Sequence, residues 1–167
     1  MRLTKPRIAP VQDAQLNDEQ KEILAPMGDR VLNIFRTMVT APKAAKGFLA
    51  WGNYVLSKKN DLPAREREIV ILRIGYLCKS GYEWTQHVPI GQRAGLTDDE
   101  VARIKGGAGA PGWSAADQAL LRASDELHHD QFITDATWAA LKAHFTDKQC
   151  MDVVFTAGQY TQVSMIL

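Results

Sequence analysis

The chain is poor in cysteine. Cys78 and Cys150 are its only two, 72 residues apart, and this spacing makes neither a disulfide framework nor a metal-type pair. Each reads as a small buried hydrophobe, in keeping with a reducing compartment. A long hydrophobic run is also missing: no stretch approaches the roughly 20 apolar residues that cross a bilayer, and the N-terminus lacks the apolar core of a secretion signal. The expected location is the cytoplasm. Charge of one sign is absent too, with 20 basic against 19 acidic side chains. No overall field therefore attracts nucleic acid or an anionic membrane, and the small cluster Arg2, Lys5 and Arg7 reads as a solvated arm. Finally, no segment alternates strictly between apolar and polar residues, which removes the main signal for strands.

What is present is helical periodicity through 167 residues of 46% apolar content, enough for a core of its own. An all-α fold is expected, with a polar arm over residues 1–17 and one helical domain over 18–167. Helices are expected near Asp18 to Leu24, around Val31 to Val39, and from Pro42 toward Ser57. After the turn Lys58-Lys59-Asn60-Asp61, Asp61 can cap the next helix with Pro63 in its first turn. The run from Ala64 to about Lys79 is apolar on nearly all sides beyond its charged first turn and reads as the central buried helix. Gly81 to Ala94 follows, stopped by Gly95, and Thr97-Asp98-Asp99-Glu100 is a capping-box signature for a helix to Gly106. The glycine-rich stretch Gly106 to Gly112 reads as a flexible connector, since it follows a helix and lacks the Lys-Ser/Thr ending of a phosphate loop. Further helices are expected near Ala115 to His128, Asp135 to Phe145 and Lys148 to the end. An apolar ending, Met165-Ile166-Leu167, suggests either a longer chain or a partner subunit covering it. Trp51, Trp84, Trp113 and Trp138 are spread over several helices, consistent with core or with subunit contacts.

The residues that could do chemistry cluster in the middle of the chain. Glu68 stands in the apolar run Ile69-Val70-Ile71-Leu72, on a helical stripe with Ala64, Ile71, Leu72, Gly75 and Cys78. A carboxylate there is costly to bury unpaired. It is either a general acid or imidazole-orienting acceptor, or half of an internal ion pair with Arg65, Arg67 or Arg73. Ser80-x-x-Glu83 is itself a capping box, yet His87 stands four residues after Glu83 on the same helical face, where the two can share a proton. His128, His129 and His144 read as helix-terminus and surface histidines, and no Cys or carboxylate spacing indicates a metal site.

The segments Leu62 to Arg73, Tyr82-Glu83-Trp84-Thr85-Gln86-His87 and Ala94-Gly95-Leu96-Thr97-Asp98, with Asn33-Ile34-Phe35-Arg36 and Trp51-Gly52-Asn53 upstream, resemble the carboxymuconolactone decarboxylase family, which includes the alkyl hydroperoxidase D proteins. The resemblance covers about two thirds of the chain. It implies an all-helical bundle of six to eight helices, assembled as trimers or hexamers with active sites near subunit contacts, and working on a small molecule without cofactor or metal. The peroxidase branch carries Glu, eleven residues, Cys-x-x-Cys, three residues, His. That frame falls here on Glu68, Ser80, Glu83 and His87, so both thiols are missing. Disulfide-based peroxide reduction needs two thiols in reach, and Cys78 alone does not supply them. The decarboxylase branch instead has Glu and His where Glu83 and His87 stand. It implies a carbon–carbon lyase or related proton-transfer enzyme acting on a carboxylated lactone or similar ring-fission product of aromatic catabolism. Glu68, Glu83 and His87 would be catalytic, Arg36 would bind the substrate carboxylate, and Ser80, Tyr82 and Trp84 would line the pocket. Isomerisation, hydrolysis or retro-aldol cleavage would use the same acid–base pair. The alternatives are a thiol-type antioxidant using Cys78 and a non-catalytic helical oligomerisation module.

Overall fold

The computed structural model describes residues 5–167; Arg2 of the basic arm lies outside them. Among the described residues the chain forms nine α-helices and three 3-10 turns, with no strand, one helix more than the upper end of the expectation. The structure divides after Leu56 into two compact units, the second being Ser57–Leu167. The expected boundary at residue 17 is not where this division falls. Residues of the polar arm are tied into the first unit instead: Val11 N–H donates to Arg36 O at 3.2 Å, and Arg36 Nη1 donates to Asp13 Oδ1 at 2.6 Å.

The first unit holds α1 (Asp18–Leu24), α2 (Asn33–Met38) and α3 (Pro42–Leu56), with α1 and α2 packed on α3. Asn17 caps α1 through a reciprocal pair with Gln20, and Ile23, Leu24, Ile34 and Met38 turn inward.

The second unit is built on α4 (Ala64–Leu77), whose residues from Glu68 to Gly75 are all buried. It packs against α5 (Gly81–Arg93), α7 (Ala115–His129) and α9 (Asp147–Ile166), while α6 (Asp98–Ile104) and α8 (Asp135–Lys142) complete the unit. A helix covered on three sides needs apolar residues all round, which explains the unbroken Ile69 to Leu72 run. Asp61 is not its cap. Pro63 holds that position with no side-chain bond, and the Asp61 N–H donates to the fully buried Asp152 carboxylate of α9 at 2.7 Å. The Thr97–Glu100 capping box forms as the sequence predicts, and α5 ends at Gly95 in a φ of 111°.

The glycine-rich stretch is a packed turn. Gly107 is buried at φ 66°, and a Cβ there would stand 2.7 Å from Arg73 Nη2 and 3.2 Å from Asp125 Oδ2. Glycine is demanded by that guanidinium and by the backbone together. A second close approach occurs at Gly91 of α5, where a Cβ would meet Leu96 Cδ1 at 2.9 Å, Leu72 Cδ1 at 3.4 Å and Glu68 Cβ at 3.5 Å. Gly91→Ala is therefore expected to destabilise by about 1–3 kcal/mol through overpacking. Urea unfolding checks this, as a lower midpoint with an unchanged slope.

Candidate active site

Two residues, Cys78 and Lys79, separate α4 from Ser80 and reverse the chain direction, and Lys79 takes a left-handed φ of 57° to do so. Ser80 N–H donates to Gly75 O at 2.9 Å, and the Ser80 hydroxyl accepts from Glu83 N–H at 3.5 Å, capping α5. Only this half of the expected capping box forms. With the Ser80 N–H already bonded, the Glu83 carboxylate turns along its helix toward His87. The first turn of α5 packs closely on α4 here: a Cβ at Gly75 would stand in contact with Glu83 Cβ at 3.4 Å.

The imidazole of His87 joins two carboxylates. Its Nδ1 stands 2.9 Å from Glu68 Oε2, and its Nε2 stands 3.6 Å from Glu83 Oε2. All three residues are buried, Glu68 at 1% exposure, Glu83 at 5% and His87 at 6%. With Glu68 ionised, its carboxylate holds the proton on Nδ1 and leaves the Nε2 lone pair facing Glu83. The 3.6 Å gap is too long for a hydrogen bond.

Burial raises the Glu83 carboxyl above its ordinary value of 4.5; His87 pulls it down, and the Glu68 charge pushes it up again. The folded chain therefore holds this proton more tightly than the unfolded chain. The stability so contributed is complete below about pH 4.5 and is lost as pH rises through the raised folded value. Glu83→Gln removes this dependence, so the variant is expected to gain stability over the parent as pH climbs through that window. Denaturation midpoints measured across the pH range check it, and a parallel profile for the two proteins would contradict it.

The arginines that the sequence offered as partners for Glu68 face elsewhere. Arg65 pairs with Glu100 and with Asp117 at 2.9 Å, and Arg73 pairs with Asp125 at 2.5 Å. Arg67 Nη1 donates to Ser57 O at 3.4 Å. Of the expected pocket residues, Ser80 is the α5 cap and Tyr82 is half-buried in the first turn of α5. The Trp84 ring lies edge-on to Tyr76 at 6.1 Å, with Lys105 Nζ over it at 5.0 Å. Arg36 belongs to the first unit, where Asp13 and Val11 O take its Nη1.

Sequence reasoning missed Tyr160. From α9 its ring meets His87 edge-on at 4.8 Å, and its hydroxyl is held well above the ordinary phenol range by burial and by the Glu68 and Glu83 charges. A lone tyrosine 73 positions after His87 carries no signal of this contact. Cys78 caps the end of α4 with its sulfur 3.7 Å from His128 Nδ1, Cys150 is buried, and neither is in a disulfide among the described residues. Among the described residues no group of three or more His, Cys, Asp or Glu side chains is arranged to hold a metal ion, and no helix is long and apolar enough to cross a membrane.

This architecture is shared with solved structures. A protein from Ralstonia eutropha, titled an alkylhydroperoxidase AhpD core and uncharacterized peroxidase-related protein, superposes with a TM-score of 0.80 at 17% identity, covering 96% of this chain and 89% of that one. One from Agrobacterium tumefaciens, of unknown function and described as a candidate antioxidant defence protein AhpD, gives 0.70 at 21% identity over 77% and 88%. At these identities the likeness is one of fold, an all-α alkyl hydroperoxidase D type. Among curated proteins no sequence matches. The sequence profile of the carboxymuconolactone decarboxylase family matches residues 42–126, just over half of the chain. The chain belongs to that family.

Proposed function

We propose that this chain is a cofactor-independent acid–base enzyme, a carbon–carbon lyase that decarboxylates a small carboxylated lactone or similar ring-fission product of aromatic catabolism. The observation that carries the reading is His87 held between two buried carboxylates, 2.9 Å from Glu68 and 3.6 Å from Glu83. Ionisable groups are costly to place in a buried apolar setting, which favours a functional use for this cluster. Loss of carbon dioxide leaves the bonding pair on the substrate as an enolate-like carbanion. Protonated Glu83, or His87 relayed through it, delivers one proton to that carbon, and a proton from water restores the acid. Glu68 holds the imidazole in its tautomer throughout.

The three groups are nearly closed off in the single chain. Two surface depressions, of about 320 and 190 Å³, lie elsewhere, one lined by Asp13, Lys21 and Arg36 and the other by Gln118, Arg122 and His144. With Glu68, Glu83 and His87 at 1%, 5% and 6% exposure, substrate entry to His87 requires a covering side chain to move. The trimer or hexamer implied by the family resemblance is part of this proposal; exposed Phe132, Met165, Ile166 and Leu167 support it. The antioxidant reading finds less support, since Ser80 and Glu83 occupy the positions of the thiol pair. The test is a panel of carboxylated lactones assayed for release of carbon dioxide. Turnover on at least one is expected; peroxide reduction that disappears in Cys78→Ser, with no lyase activity, would overturn the proposal.

A further inference from the structure

Three buried polar atoms on α4 and α9, the helices that carry Glu68 and Tyr160, have no hydrogen-bond partner among the described residues: Arg67 Nε, Thr156 Oγ1 and Gln159 Oε1. Arg67 precedes Glu68 on α4. Thr156 and Gln159 stand on α9 one turn and one residue before Tyr160, so the three α9 residues share the helical face that is buried in this unit. Thr156 is fully buried and Gln159 is 5% exposed. Buried donors and acceptors are nearly always paired, and these three orphans stand on two helices that pack together.

Arg67 is the unusual member. Arg65 and Arg73, on the same helix, are each saturated by carboxylates. Arg67 has no carboxylate partner among the described residues, only the 3.4 Å contact of Nη1 with Ser57 O. Its positive charge opposes, more weakly, the influence of Glu68 and Glu83 on the Tyr160 phenol. The other arginine expected to bind a carboxylate, Arg36, is taken by Asp13. A planar guanidinium with an unused Nε–H presents the two-pronged donor geometry that fits a carboxylate.

We propose that Arg67 is the anchor for the substrate's carboxylate, that Thr156 and Gln159 bind oxygen substituents of the same small molecule along the α4–α9 seam, and that this guest reaches His87 past Tyr160. The ligand class is a small organic carboxylate bearing a second carbonyl or hydroxyl oxygen. The inference rests on the acid–base reading for its choice of substrate, though the anion site can be tested separately.

The experiment records nitrogen–proton spectra of the arginine side chains in the full chain, with Arg67→Lys used to assign the Arg67 Nε–H signal. The probes are 5-oxotetrahydrofuran-2-carboxylate and its methyl ester, at constant ionic strength. The Arg67 signal is expected to move saturably with the carboxylate and not with the ester. Arg67→Gln is expected to weaken carboxylate binding about tenfold or more, and to raise KM with little change in kcat. Movement of the Arg36 signal in place of Arg67, equal binding of acid and ester, or no binding of the carboxylate overturns the anchor. If Arg67→Gln does not fold, the spectrum of the parent chain decides alone. Binding at Arg67 without lyase turnover would sink the proposed function and spare this site; turnover with KM unchanged in Arg67→Gln would do the reverse.

Discussion

His87→Ala is expected to yield a folded protein whose lyase turnover falls by a factor on the order of a hundred or more. The imidazole stands between Glu68 and Glu83, so its loss disconnects the acid from the carboxylate that orients the relay. Removing it also leaves Glu68, at 1% exposure, without its imidazole partner, at a stability cost of about 1–3 kcal/mol. Glu83→Gln, nearly the same shape, is expected to lose turnover to a similar extent while becoming more stable above the acid range, for the reason given by its raised proton affinity. Residues that act as a unit do not add, so the double variant is expected to be little worse than either single one. Circular dichroism and unfolding curves establish the folded state, and initial rates on the panel give the loss. A His87→Ala protein with full turnover would remove the relay from the mechanism. If the parent turns over nothing and both variants match it in fold and assembly, the non-catalytic module becomes the better reading.

The largest effect on stability is expected at Arg73. Its Nε is 2.5 Å from Asp125 Oδ1 of α7, and its Nη1 donates to Ile104 O at 3.0 Å and to Lys105 O at 2.9 Å. One side chain on the central helix thus satisfies the end carbonyls of α6 and a carboxylate of α7, while its guanidinium fills the space left by Gly107. Arg73→Ala leaves Asp125 unpaired, two carbonyls without a donor and a cavity. Truncating one partner of a buried pair costs about 3–5 kcal/mol, and the 30% exposure of the Asp125 side chain puts this case near 3. For a chain of this size that is a fall in Tm of about 10 °C. Arg73→Ala with Asp125→Ala is expected to recover only part of the loss, because the α6 carbonyls stay unsatisfied. Full recovery in the double variant would show that the ion pair alone matters.

Much of the helical layout can be read along the chain because its signals are local. Thr97-x-x-Glu100 caps α6 through bonds within four residues, and the glycine at 95 ends α5 in a conformation that other residues resist. The sharing of one face by Glu83 and His87 follows from helix geometry alone, and the burial of Glu68 follows from the apolar run around it. Other readings needed partners that sequence does not name. Asp61 has the chemistry of a cap, yet Asp152, 91 residues later, takes its N–H. The stretch Gly106 to Gly112 has the composition of a linker, yet Arg73 turns its first residues into a packed corner.

The choice of partner for Glu68 shows the division most clearly. Composition and period determine an acid inside a helix core and an imidazole on the next helix, because those depend on spacing of a few residues. Three arginines stood nearer to it in sequence, at 65, 67 and 73. Only the packing of α6 and α7 decided that Arg65 meets Glu100 and Asp117 and that Arg73 meets Asp125, which leaves Glu68 to His87. The same packing brought Tyr160 of α9 onto the imidazole and left Arg67 with an unused donor. Each of those outcomes is settled by competition among charges and shapes brought together from distant segments, and no local pattern encodes the winner.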